Sequence, residues 1–362
     1  MRRGGLLLAG VAFACSKPTP NGAVVASSSA PSSTASTSSV AVRAATTLAS
    51  KAFPLPDASA PVTLDMLAYD GARGQVWIPV GEGGSVDVFT VATKSFARVR
   101  GFETQERETH GRKRMMGPSS AAVGDGFVYV GDRASSQVCA VSDTTLEIGK
   151  CATLASPPDV VGYDDATKEI WATTPKQSSI SVLDASDPAD PKPKLVVKTD
   201  GSPECWALDT RRSTFWTNLE DKNRVVAIDT TTHAVKSTWA LDCNERGPRG
   251  VAVDVARDFV FVACADHVEV LDAGHGGARV GTLDAGAGVD AIDYDESAKT
   301  LYVAAGKSAR LTVATFSDAG VPSVVATAST ANGARNAVVD SSGAAYVVDP
   351  QTARLLVFAP PR

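Results

Sequence analysis

Residues 206–242 read WALDTRRSTFWTNLEDKNRVVAIDTTTHAVKSTWALD. The stretch holds four short apolar runs separated by turn residues. WALD ends in an acidic turn, and TFWTNL follows with an aromatic residue at its centre. RVVAID alternates apolar and polar residues, and VKSTWALD does so again. Alternation over four to eight residues, bounded by Asp, Asn, Ser and Thr, marks short antiparallel strands. No window carries a helical period.

The same grammar runs outward in both directions. The central aromatic recurs as Trp77, Tyr129, Trp171, Trp216, Phe261, Tyr302 and Tyr346, at steps of 52, 42, 45, 45, 41 and 44 residues. Seven copies near 45 residues match four-stranded propeller blades. The fold class is therefore all-β, a seven-bladed β-propeller of four-stranded antiparallel blades. The last copy stops after its third strand, and residues 48–56 look like a spare fourth. The N-terminal strand is expected to complete the last blade, which removes an open sheet edge. The propeller is placed at residues 48–362.

Residues 1–14 read as an export signal. Arg2 and Arg3 precede an apolar stretch too short to span a bilayer. Small residues lead up to Cys15, which resembles the lipidated cysteine of a bacterial lipoprotein. Residues 15–47 are rich in Ser, Thr, Ala and Pro and carry almost no charge. Such a segment buries too little apolar surface to offset its ordering entropy, and it reads as a tether. The expected address is the outer membrane, on its periplasmic or cell-surface side, with the membrane met only through the lipid. Net charge is −5, and that balance argues against nucleic acid as a partner, because phosphate neutralisation needs clustered Lys and Arg. The body is expected to be a monomer.

The Trp216-Thr217-Asn218 run and Tyr302-Val303-Ala304-Ala305, each after an Asp turn, resemble the YVTN-type repeats of YncE-like propeller proteins. The resemblance spans about residues 48–362 and implies the fold. It says little about function, because one fold hosts many functions.

Chemistry is sought where the copies differ. At the start of each first strand, beside the central channel, the column reads Asp65, Ser119, Asp159, Glu204, Arg249, Asp290 and Arg335. Six charged residues converging on one opening either bind a ligand or pair with each other. Asp159, Glu204 and Asp290 are the candidate metal set, similar in kind to the site of gluconolactonase-type propellers. No cofactor is expected, although Ca²⁺ is possible on three carboxylates. Arg249 and Arg335 instead suit a carboxylate or phosphate. The link between copies one and two is long and charged. It is a candidate flap, with His110 and Arg112 reaching inward, and His267 is a third rim candidate. No zinc or haem spacing occurs. Cys139 with Cys151 and Cys243 with Cys264 are the expected disulfides, leaving Cys205 free.

The first expectation is a non-enzymatic envelope lipoprotein whose rim binds an envelope protein, a peptide or a small acidic ligand. The alternative is a lactonase-like hydrolase or lyase, with or without a metal, at the channel mouth.

The turn acids Asp70, Asp164, Asp209, Asp254, Asp295 and Asp340 recur from copy to copy. Recurrence assigns them to β-turns rather than to a site.

Overall fold

The computed structural model describes residues 45–109 and 111–361. The expected export signal, Cys15, the expected tether up to residue 44, His110 and Arg362 lie outside the described residues, as do the side chains of Thr109 and Arg112. Seven four-stranded antiparallel sheets follow one another in chain order. Blade 4 shows the unit: Pro203–Asp209, Thr214–Leu219, Arg224–Asp229 and Val235–Ala240, each strand paired with the next. The innermost strands of the blades line the central channel. The outermost face solvent.

Strand alternation builds the core. In the second strand of blade 1, Trp77 turns toward blade 2 and packs with Val128 and Cys139. Its neighbours Val76 and Ile78 turn the other way and pack with Tyr346 and Leu355 of blade 7. The seven repeating aromatics are all buried, none more than 3% exposed. They are the wedges between blades, which is why the repeat keeps them. Truncating one to Ala would cost about 3–5 kcal/mol.

The ring closes as expected. Ser50–Pro54 pairs antiparallel with Arg354–Phe358 and becomes the outer strand of blade 7. Thr46 and Thr47, within the expected tether, add a further contact. They pair in parallel with Ala326 and Thr327 on the edge of blade 6, and Leu48 donates its N–H to the Thr327 carbonyl at 2.8 Å. The chain entering the body thus straddles the two blades it joins, and part of the blade 6 edge is covered.

Two disulfides join the expected pairs. Cys139 and Cys151 sit opposite each other on the third and fourth strands of blade 2. Cys243, in the link after blade 4, is tied to Cys264 at the end of the second strand of blade 5. Cys205 is free and buried. The bridges accord with an exported protein. No helix among the described residues is long and apolar enough to cross a membrane.

Candidate functional site at the channel mouth

The first strands begin at one rim, so their first residues converge. Arg335 of blade 7 reaches both neighbours: Nη2 lies 2.7 Å from Asp65 Oδ1 and Nη1 lies 2.9 Å from Asp290 Oδ2. Arg133 pairs with Asp65 and with Asp159. The result is an alternating chain across five blades, Asp290–Arg335–Asp65–Arg133–Asp159. Ser119 adds a hydrogen bond from Oγ to the Asp159 carbonyl at 3.3 Å. On the other side, Arg249 pairs with Glu220, and Glu220 hydrogen-bonds Glu204. Of the expected column, Asp65, Asp159, Asp290 and Arg335 are brought together in one ion chain, while Glu204 and Arg249 meet through Glu220.

Arg133 and Glu220 are absent from the sequence-derived column, yet both are essential to this geometry. The repeat contains the signal for them. Each is the first residue after the second strand of its blade, where the other copies have Gly81, Pro175, Ala265, Gly306 and Pro350. Two charges among small residues and prolines mark a second column at the same rim.

Burial sets the protonation states. The Glu204 carboxyl is pushed up to about 11 by burial, by the Asp159 charge and by its bond to Glu220. No cation offsets it directly, so Glu204 carries a proton at neutral pH. Burial also raises Asp159, to about 6, with Asp65 and Asp290 adding to the effect and Arg133 opposing it. Asp290 is raised by burial and held back by Arg335. Burial disfavours the charge on Arg133, but Asp65 and Asp159 outweigh it and hold the guanidinium firmly charged. Beneath the ring, the Cys205 thiol is raised well above its ordinary value by burial and by the Asp290 charge. It packs with Val160 and Ala291 as a small apolar plug.

Two cavities open on either side of Arg335. One, of about 510 Å³, lies over blades 5–7 and is lined by Arg246, Arg249, Lys307 and Arg335, with Asp290 the one carboxylate on its wall. The other, of about 520 Å³, lies between blades 1 and 7 and the long link. That link forms a hairpin of two strands, Gln105–Thr109 and Arg112–Met116. Its base is fixed. Arg107 donates to the Ala134 carbonyl at 3.1 Å, and Gly117 lies so near blade 1 that a Cβ there would stand 2.2 Å from the Gly81 oxygen. Lys113, Arg114 and Met115 face the second cavity.

His267 starts the third strand of blade 5, away from both cavities. Its ring faces Asp266 at 2.8 Å and Glu269 at 3.7 Å, and the Glu269 contact, against some burial, raises its pKa. Cys264, His267 and Glu269 offer ligand atoms within 4.8 Å of one another. The disulfide to Cys243 consumes the thiolate that this set would need as a ligand.

No protein-family profile and no curated protein sequence matches the chain. Solved structures do. Virginiamycin B lyase from Staphylococcus aureus superposes with a TM-score of 0.67 at 12% identity, covering 86% of this chain and 99% of that one. Kuenenia stuttgartiensis hydrazine synthase gives 0.69 at 14%, covering 84% and 97%. A chain of the mitotic checkpoint complex gives 0.68 at 13%, covering 86% and 93%. Likeness at such identity shows the β-propeller fold alone.

Proposed function

We propose that this chain is an exported envelope lipoprotein, anchored through Cys15, whose channel mouth binds an anionic group on a peptide, protein or small acidic ligand without turning it over. The observation that carries the reading is the cavity with Arg246, Arg249, Lys307 and Arg335 set against Asp290. Among the described residues Arg246 and Lys307 form no ion pair, so the pocket holds cations not already spent on the fold. Guanidinium groups grip carboxylates and phosphates through paired hydrogen bonds. The YncE-like resemblance and the propeller neighbours, some of them from protein complexes, support a binding role.

Titration of the full chain with citrate at low salt tests this. Binding is expected, and Lys307→Gln together with Arg246→Gln is expected to weaken it at least tenfold while the melting temperature holds. Absence of citrate binding sinks the reading. Cys15→Ser is expected to move the protein out of the membrane fraction.

A second reading has one observation behind it. The protonated Glu204 carboxyl beside the Glu220–Arg249 pair is a proton donor at the mouth, which a hydrolase or lyase could use. Ca²⁺ suits the donor set poorly, because Asp159 and Asp290 already face guanidinium groups and Arg133, Arg249 and Arg335 would oppose a second cation. Stripping with a chelator that is then dialysed away should therefore leave both stability and citrate binding unchanged.

A further inference from the structure

The cavity between blades 1 and 7 has a wall of unusual kind. It is the edge of a β-strand. The hairpin is a two-stranded sheet, and Arg112–Met116 pairs on one side alone. Thr109 and Arg112 flank the turn as directly opposed partners, so the hydrogen-bonded pairs alternate from there. Lys113 and Met115 then turn their N–H and C=O groups away from the partner strand, toward the cavity. Among the described residues no backbone bond reaches this edge from outside the hairpin. The opposite wall is the segment from Val62 to Leu64, with Val348 and Pro350 beneath. Part of that wall is already satisfied: Val62 donates to the Pro350 carbonyl at 2.9 Å and Thr63 donates to Glu82 at 2.7 Å.

Charge adds a second constraint. Lys113 and Arg114 come from the strand and Arg335 from blade 7. The carboxylate of Glu82 is taken by the Thr63 N–H, and Lys113 meets Glu106 at an exposed pair 2.8 Å apart. Such an exposed pair exchanges easily for another acid.

We propose that an extended acidic peptide segment adds as a third strand to the Lys113–Met115 edge, with its carboxylates on Lys113, Arg114 and Arg335. Main-chain bonds would supply affinity and the cations would select acidic side chains. The inference rests on the anion-binding reading of the mouth and names the class of ligand. Arg335 lines both cavities, so one carboxylate of the segment can also reach the pocket over blades 5–7.

The test uses the full chain and three probes: a fluorescent hexapeptide alternating valine and glutamate, the same peptide N-methylated at its central residues, and citrate. The plain peptide is expected to bind, and N-methylation to weaken it at least tenfold with charge unchanged. Met115→Pro is expected to do the same. It removes an outward N–H that the hairpin itself does not use, a place where an edge strand accepts proline. Citrate binding should ignore Met115→Pro and fall with Arg335→Gln. Equal affinity for the plain and methylated peptides overturns the strand-addition proposal, whatever Met115→Pro does to the hairpin. Citrate binding without peptide binding overturns it too and leaves the mouth reading standing. Failure of both probes removes both.

Discussion

The two ends of the same seven inner strands obey different rules. At their lower ends an acid recurs in six copies, and each caps its own turn. Asp70 accepts from the Ala72 N–H at 2.9 Å, Asp164 from Ala166 at 3.0 Å, Asp254 from Arg257 at 3.0 Å and Asp340 from Ser342 at 2.8 Å. Blade 2 has Gly124 instead, because a Cβ there would meet the Tyr129 ring at 2.4 Å. At the upper ends the residues differ from copy to copy, and their partners lie in other blades. The lower acids solve a local problem that every blade shares, so they repeat. The upper charges solve one problem for the whole ring, so they cannot repeat: a ring of seven like charges would repel itself.

The difference is sharpest at Arg133. Its guanidinium is 21% exposed and its partners Asp65 and Asp159 are 16% and 18% exposed. Such a chain adds little net stability over an apolar core, but deleting one member strands the others. Arg133→Met is expected to cost about 3 kcal/mol by chemical denaturation at pH 7. A loss below about 1 kcal/mol would mean that water already screens the mouth, and the contrast between the two ends would fail.

Opposite responses to pH separate the buried channel carboxyls from the turn acids next. The folded-state values of Asp159 and Asp293 are raised, each to about 6. Burial is the first cause in both, and the Val339 and Tyr294 N–H groups partly offset it at Asp293. A raised carboxyl contributes stability that is present below its unfolded value and lost as pH rises through the folded one. Asp254 and Asp340 are lowered, their hydrogen bonds outweighing burial. Their contribution is present above the unfolded value near 3.8 and lost as pH falls further. Stability is therefore expected to rise from pH 7 to pH 5, by about 2 kcal/mol from Asp159 and Asp293 alone, and to fall again below about pH 4. Asp293→Asn should remove part of the upper slope and leave the lower one unchanged. A slope unaltered by Asp293→Asn would remove that residue from the account.

Glu204→Gln comes next in size. Glutamine copies the neutral acid and cannot ionise. The wild-type carboxyl must take up a proton on folding at any pH between its unfolded value, near 4.5, and about 11. The variant does not. It is expected to match the wild type near pH 4 and to gain on it steadily up to pH 8, by at most about 1.4 kcal/mol for each pH unit. Loss of the infrared band of a protonated carboxyl would identify the group directly. A variant less stable at every pH would place the proton elsewhere.

How much of this was legible in the sequence follows from the same contrast. The aromatic wedges, the turn acids and the closing strand are local or periodic features, and the sequence carries them openly. The convergence of Asp65, Asp159, Asp290 and Arg335 was legible too, because a column through aligned repeats is a spatial statement. Their full pairing was not, since it runs through Arg133, which belongs to a second column, the first residue after each second strand, where most copies carry Gly, Ala or Pro. The protonation of Glu204 was hidden for a similar reason: it arises from Glu220 and from burial. The strand edge at Lys113–Met115 was read as a flap of charged loop. Its alternation, Glu106 and Glu108 against Lys113 and Met115, has too little apolar content to announce a strand.

The smallest expected effect tests whether the lower acids work by charge or by geometry. Asp295 accepts from the Ser297 N–H at 2.9 Å, the Ser297 hydroxyl at 2.6 Å and the Ala298 N–H at 3.0 Å. Among the described residues no cation pairs with it. If an acceptor is all the turn needs, Asp295→Ala should cost about 1 kcal/mol, the typical worth of such a bond. Asp295→Asn keeps an oxygen in the same place and should cost less than about 0.5 kcal/mol. The same pair of substitutions at Asp65 must behave differently. Asparagine there leaves Arg335 and Arg133 facing a neutral group, so Asn should be nearly as damaging as Ala. Equal tolerance of Asn at both positions would show that the mouth, like the turns, is held by acceptor geometry, and its charges would then be free to serve a ligand.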